Sequence, residues 1–189
     1  MIGTDTIQLH PDGDAVLVVH DRVSDTRRGF VVSSAVLSIV SDYFKTLLRS
    51  GFKEGPEARR GDCPRILLGQ DDADAMGTLL SILHYQDPTP YNALNPKELA
   101  AVALHCDKYG CTRALKPWIT HWFGGLRGIS GADELGSLLV AAYFFRASDH
   151  FENISGRAVR HATMDIGSVW ANHDMVALLP QNVKGTLFV

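Results

Sequence analysis

The sequence predicts an α+β fold, a small sheet covered by a cluster of helices and continued by a helical extension, and three features lead there. Ala15 to His20, AVLVVH, is a β-branched run bounded by turn residues. In Phe30 to Glu54, alternation of apolar and small polar residues at Phe30 to Ser33 gives way after Ser34 to the spacing of a helix. Beyond residue 70, several segments carry apolar residues three and four apart, the mark of amphipathic helices.

In order along the chain, Met1 to Gly13 is polar and contains Pro11 and Gly13, which predicts a loosely held lead-in over residues 1–12. Ala15 to His20 is continuously apolar up to its last residue and is expected to be buried on both faces. The polar turn Asp21 to Gly29 then joins it to Phe30–Ser33 as a hairpin. Next come two short amphipathic helices, with Val36, Leu37 and Val40 on the first face and Tyr43, Phe44, Leu47 and Leu48 on the second; Ser41 stands where an N-cap belongs. Gly51 and Gly55 are expected to free Phe52-Lys53-Glu54 from regular structure. The following GPEARRGDCPR reads as a surface loop and Arg65 to Leu68 as a short strand added to the sheet.

Asp71, Asp72 and Asp74 then place acidic caps before a helix whose apolar positions are Met76, Leu79, Leu80 and Leu83. The prolines of QDPTPYNALNP exclude helix until Pro96, which opens Lys97 to Tyr109; Gly110 ends that helix. Thr112 caps Arg113 to Phe123, where Pro117 is tolerated only near the first turn, or if the helix begins near Lys116. Gly124, Gly125 and Gly128 mark a boundary, beyond which Ala132 to Phe145 and His150 to Ala162 read as helices. Met164 to Val189 shows no clear period.

Composition narrows the function. Of 189 residues 46% are hydrophobic and 21% charged, and 18 Lys and Arg against 21 Asp and Glu leave a formal net charge of −3. No basic excess of the kind a nucleic-acid binder carries is present, so no nucleic-acid partner is expected. Three cysteines, Cys63, Cys106 and Cys111, have no repeated spacing; reduced thiols in a cytoplasmic or nuclear setting are the plainer reading. Neither a signal peptide nor a run of about 20 apolar residues is evident, so no membrane partner is expected.

Catalytic patterns are weak throughout. His105, Cys106 and Cys111 lack the convergent spacing of a zinc site, and His84, His121 and His161 stand alone. Ser33-Ser34 has no Gly-x-Ser-x-Gly elbow around it, and Gly124-Gly125-Leu126-Arg127-Gly128 follows a helix where a phosphate-cradling loop would follow a strand. The Asp71, Asp72, Asp74 group lacks the spacing and closing Glu of a calcium loop. No cofactor, no small-molecule substrate and no enzyme are expected.

Phe30, Val32, Val36, Leu37, Ser41, Phe44, Leu47 and Leu48, with the later Leu99, Ala100, Ala103, Asp107-Lys108-Tyr109, Leu115 and Trp118, resemble the BTB/POZ family. The wording around Ser33-Ser34 and Gly51-Phe52-Lys53-Glu54 is most similar to BTB proteins of filamentous fungi. The resemblance implies a BTB/POZ domain over residues 13–126 and a helical extension over 127–189 with the look of a BACK-type segment. It also implies a non-catalytic protein-interaction module, of which two forms stay open. In the first, the chain is an adaptor between a client and a cullin-RING ubiquitin ligase. A hydrophobic-x-Glu element, here Phe52 and Glu54, would then meet the cullin together with the face that bears Tyr43 and Leu48. In the other reading of the same residues, Phe52 folds back on its own domain and Glu54 is merely solvated.

In the second form, the chain is a self-associating scaffold with no cullin partner. The resemblance places a homodimer contact at Ile7, Leu9, Val36, Leu37 and Val40, which would be isologous; the alternative is that these residues are core. Asp14 matches one residue of a charged pocket at the family's dimer face, or else it caps the start of the first strand. Where many members carry a His-Lys pair, this chain has Ser33-Ser34.

Overall fold

In the computed structural model, which describes residues 4–21, 26–54, 63–160, 169–170 and 172–187, four strands make one mixed sheet. They are β1 (Thr4–Gln8), β2 (Ala15–Asp21), β3 (Thr26–Val32) and β4 (Arg65–Leu68), in the order β1-β3-β2-β4. Strand β2 runs antiparallel to β3, with Leu17 opposite Phe30, and parallel to β4, with Leu17 opposite Ile66. All of Ala15 to Val19 is buried, so both faces of β2 are covered, as its unbroken apolar run predicts.

Strand β1 departs from the expected loose lead-in, because it pairs in parallel with β3. Its side chains are polar except for Ile7, so it gives no hydrophobic period; the main chain of β3 holds it. After it the chain turns sharply. Leu9 is buried, its N–H donates to the Val31 carbonyl at 3.0 Å, and its own carbonyl accepts from Gln86 Nε2 at 2.9 Å. Gly13 is required in that turn, since a Cβ there would stand 2.5 Å from Val31 Cγ1.

The helices are α1 (Ser34–Val40), α2 (Asp42–Glu54), α3 (Ala73–Leu83), α4 (Pro96–Lys108), α5 (Thr112–Gly125), α6 (Ala132–Phe144), α7 (Ser148–Arg160) and α8 (Gln181–Leu187). Their ends follow local chemistry. Ser33 Oγ accepts from Val36 N at 3.4 Å, and Ser41 Oγ accepts from Phe44 N at 3.0 Å. Asn95 Oδ1 accepts from Lys97 N and Glu98 N while Glu98 returns to Asn95 N, a capping box before α4. Gly110 follows α4 with φ +66°, the left-handed value its lack of a Cβ permits. Pro117 lies well inside α5, which begins earlier than its presence suggests. The N–H it lacks would have served the carbonyl of Arg113, an exposed residue whose acceptor water can satisfy.

The chain divides into two compact units, Met1–Tyr91 with Lys108–Leu115, and Asn92–Asp107 with Lys116–Val189. The first holds the sheet, α1, α2 and α3. Helix α3 is buried almost throughout, and its Gly77 leaves room for the ring of Phe30, which a Cβ would approach at 3.4 Å. The second is built on α6, whose residues from Leu135 to Ala142 are all buried. Trp122 lies between Trp118 and Phe145, at ring centroid distances of 5.6 and 6.2 Å.

The segment around Trp170, aperiodic in sequence, closes on α6 through specific contacts. Trp170 Nε1 donates to the Ala132 carbonyl at 2.7 Å, and His173 Nε2 donates to that of Asp133 at 3.0 Å. Gly136 makes this approach possible: a Cβ there would lie 3.0 Å from Trp170 Nε1, 3.1 Å from His173 Cδ2 and 3.1 Å from Val176 Cγ2. Overpacking such a contact costs about 1–3 kcal/mol. A Gly136→Val variant is therefore expected to lose unfolding free energy in that range, read as a lower urea midpoint at unchanged slope, and an unchanged midpoint would show that the segment does not pack on α6.

Candidate interaction surface

The surface formed by α1 and α2 is positioned by a polar network beneath it. Asp71, whose side chain is 1% exposed, accepts from Lys108 Nζ at 2.5 Å and from Tyr109 Oη at 2.5 Å. Burial, and after it the hydrogen bond to Asp71, pushes the Tyr109 phenol far above the ordinary tyrosine value, so it stays a donor. The Tyr109 carbonyl accepts from Ser41 Oγ, the hydroxyl at the junction of α1 and α2. Its ring stacks flat on Phe44 at 4.6 Å and meets Tyr43 edge-on at 5.2 Å. Tyr109, the last residue of the Asp107-Lys108-Tyr109 element, thus locks the start of α2.

This separates three aspartates that look alike in sequence. Asp72 alone caps α3, accepting from Ala75 N at 2.7 Å. Asp74 pairs with Arg28 across the first unit, and Asp71 is the buried anchor.

A second group of bonds fixes the start of α1. Asp14 accepts from Ser34 N at 2.7 Å and from Ser34 Oγ at 2.6 Å. Its carboxylate is thereby committed to the start of α1 rather than to that of β2. His84 lies buried behind Ser33. Its Nδ1 donates to the Leu80 carbonyl at 2.8 Å, leaving Nε2 to accept the Ser33 N–H at 3.0 Å. Burial lowers the His84 pKa below 6.5; the Leu80 bond opposes this shift and His10, with its ring 6.5 Å away, adds to it.

The remaining candidates fall into three groups. Leu9, Leu37 and Leu48 are buried within their own unit and serve its core, so they offer no side chain to a partner in this arrangement. Ile7 and Tyr43 are exposed at 38% and 49%, and Val36 and Val40 are half-buried. Phe52 and Glu54 belong to α2, which continues to Glu54 where the flanking glycines suggested irregular chain. Gly51 costs the helix only about 1 kcal/mol relative to alanine, too little to end it. The side chains of Phe52 and Glu54 lie outside those described. The most exposed apolar residue of α1 is one the sequence reading passed over: Ile39, 85% exposed. Its signal was present, since Ile39 falls off the face defined by Val36, Leu37 and Val40.

Among the described residues no three His, Cys, Asp or Glu side chains converge as a metal site would require, and no helix is long and apolar enough to cross a membrane. A model of the BTB/POZ domain family matches residues 10–117, more than half of the chain. The chain belongs to the BTB/POZ family. The BTB/POZ match starts after β1 and ends within α5. The family is one of protein–protein interaction modules, which is the coarse function of this chain. No curated protein matches the sequence.

His84 gives the BTB/POZ unit a pH dependence of definite sign. Its folded pKa is lowered, so the unfolded chain takes up a proton first as pH falls, and stability present above about 6.5 is lost below it. Between about pH 7.5 and about pH 5, the urea midpoint of the wild type is expected to fall more than that of His84→Gln, whose amide accepts from Ser33 without titrating. Equal slopes would contradict the neutral, accepting imidazole.

Proposed function

We propose that this BTB/POZ chain is an adaptor that brings a client protein to a cullin-RING ubiquitin ligase. The cullin would be met by Phe52 and Glu54 together with the exposed side of α2. The observation that carries this reading is α2 itself, which continues unbroken from the half-exposed Tyr43 to Glu54. The hydrophobic-x-Glu element thus stands on a helix whose start is locked by Tyr109, which supports a preorganised contact. Catalysis would belong to other subunits, and the domain would act by proximity. On this reading residues 13–126 are the interaction domain and 127–189 a helical extension of BACK type. The fungal wording of Phe30 to Glu54 and a cytoplasmic or nuclear place belong to the same proposal.

A self-associating scaffold is favoured by a different observation. Ile39 is 85% exposed on α1 and Ile7 38% exposed on the edge strand β1, apolar groups that a second copy would cover.

Calorimetric titration with the N-terminal domain of the BTB-binding cullin from the same source tests the adaptor. The wild type is expected to bind, and Phe52→Ala, Glu54→Lys to bind at least about 30-fold more weakly. Heat absent from the wild type titration, or unchanged in the variant, would remove Phe52 and Glu54 from the account. An Ile39→Glu variant in sedimentation then decides whether self-association remains.

A further inference from the structure

Within the second compact unit, α5, α6 and α7 enclose a pocket of about 480 Å³ that the adaptor reading does not use. Its floor is apolar, from the buried Phe123, Leu138 and Ile154 with the half-buried Leu126 beside them. Its rim is cationic. Arg127, just beyond α5, and Arg157, on α7, both line it, and neither forms an ion pair among the described residues. Asn153 adds an amide beside them.

Two further groups set the charge. His150 stacks on the Phe123 ring, with centroids 4.3 Å apart and planes 14° from parallel. Burial lowers its pKa; Asp149 opposes that shift and Arg127 adds to it, so the neutral imidazole adds a hydrogen-bonding group and no charge. Asp149 contributes one carboxylate, in the first turn of α7 where the helix dipole already favours it. Two guanidinium groups against one carboxylate leave the pocket with a surplus positive charge over an apolar floor.

We propose that this pocket binds the C-terminal residue of a partner polypeptide, its α-carboxylate held by Arg127 and Arg157 and its apolar side chain set on Phe123, Leu138 and Ile154. Charge complementarity selects the anion, and guanidinium forks match a carboxylate in two-pronged geometry. The floor selects the source. An α-carboxylate carries its own side chain on the neighbouring atom, so one residue fills both parts of the pocket, whereas an internal Asp or Glu needs a second residue to cover the floor. A phosphate offers the charge and no apolar group to set against the lining. The proposal is independent of whether a cullin is bound, and it supplies a place for a client.

The test is a nuclear magnetic resonance titration of the full chain, read at the His150 ring and the Arg127 and Arg157 side chains. Four probes are compared: N-acetylleucine, N-acetylleucinamide, N-acetylglutamic acid α-amide and inorganic phosphate. N-acetylleucine is expected to give saturable shifts, at least about tenfold tighter than the uncharged leucinamide, tenfold being what one charge-assisted contact is worth at minimum. Arg127→Gln, Arg157→Gln should abolish that difference. Equal response to the amide would reduce the site to an apolar dimple, and tighter binding of the glutamic amide or of phosphate would make it a different anion site. Absence of saturable shifts with N-acetylleucine would overturn it outright. Because the four probes are ranked on the wild type, the result stands even if the double variant misfolds.

Discussion

A buried carboxylate, Asp71, is the constraint on which the placement of the first unit's helices depends. Left unpaired at 1% exposure it would cost several kcal/mol, so the fold must bring donors to it. Lys108 and Tyr109 both reach it, and they are unequal. Lys108 is 39% exposed, and water screens its attraction, so the pair by itself adds little. Tyr109 is buried, and its phenol gives a hydrogen bond to a charged acceptor, a class worth about 1.5–3 kcal/mol. Tyr109 therefore contributes more than Lys108, and it passes the fixation on through its carbonyl to Ser41 and its ring to Phe44.

The consequence is a division of labour along α1 and α2. Their ends are held by polar bonds: Asp14 and His84 at the start of α1, Tyr109 at the junction. Their interior faces are held by Leu37, Phe44 and Leu48. What is left outward, Ile39 and Tyr43 above all, is apolar or aromatic surface on a backbone with little freedom to relax. Such a surface pays little entropy when a partner covers it, which is how an interaction module gains affinity.

Much of this was legible in sequence. Strand β2 announces itself because burial on both faces demands a β-branched run, and α3 and α4 because their apolar positions repeat at helical spacing; β3 shows only its apolar end, since Thr26 to Gly29 read as turn, and β4 shows as a short apolar run although Leu67 is exposed. Strand β1 was hidden because main-chain pairing to β3 leaves its polar side chains free to vary. Asp71 could not be told from Asp72 or Asp74, since three carboxylates before a helix all read as caps; the distinguishing partner, Tyr109, is 38 residues away. The extent of α2 was misread for an energetic reason, as one glycine weakens a helix without ending it. Arg127, His150 and Arg157 gave no motif because they converge from α7 and the chain just beyond α5.

The central claim, that Asp71 and Tyr109 act as one unit, is tested most directly by a double-mutant cycle of Asp71→Ala and Tyr109→Phe, read by urea unfolding at neutral pH. The account predicts that each single change destabilises and that the two are coupled by about 1–3 kcal/mol, the double variant losing much less than the sum. Additivity within about 0.5 kcal/mol would contradict it, and the helices would then owe their positions to apolar packing alone.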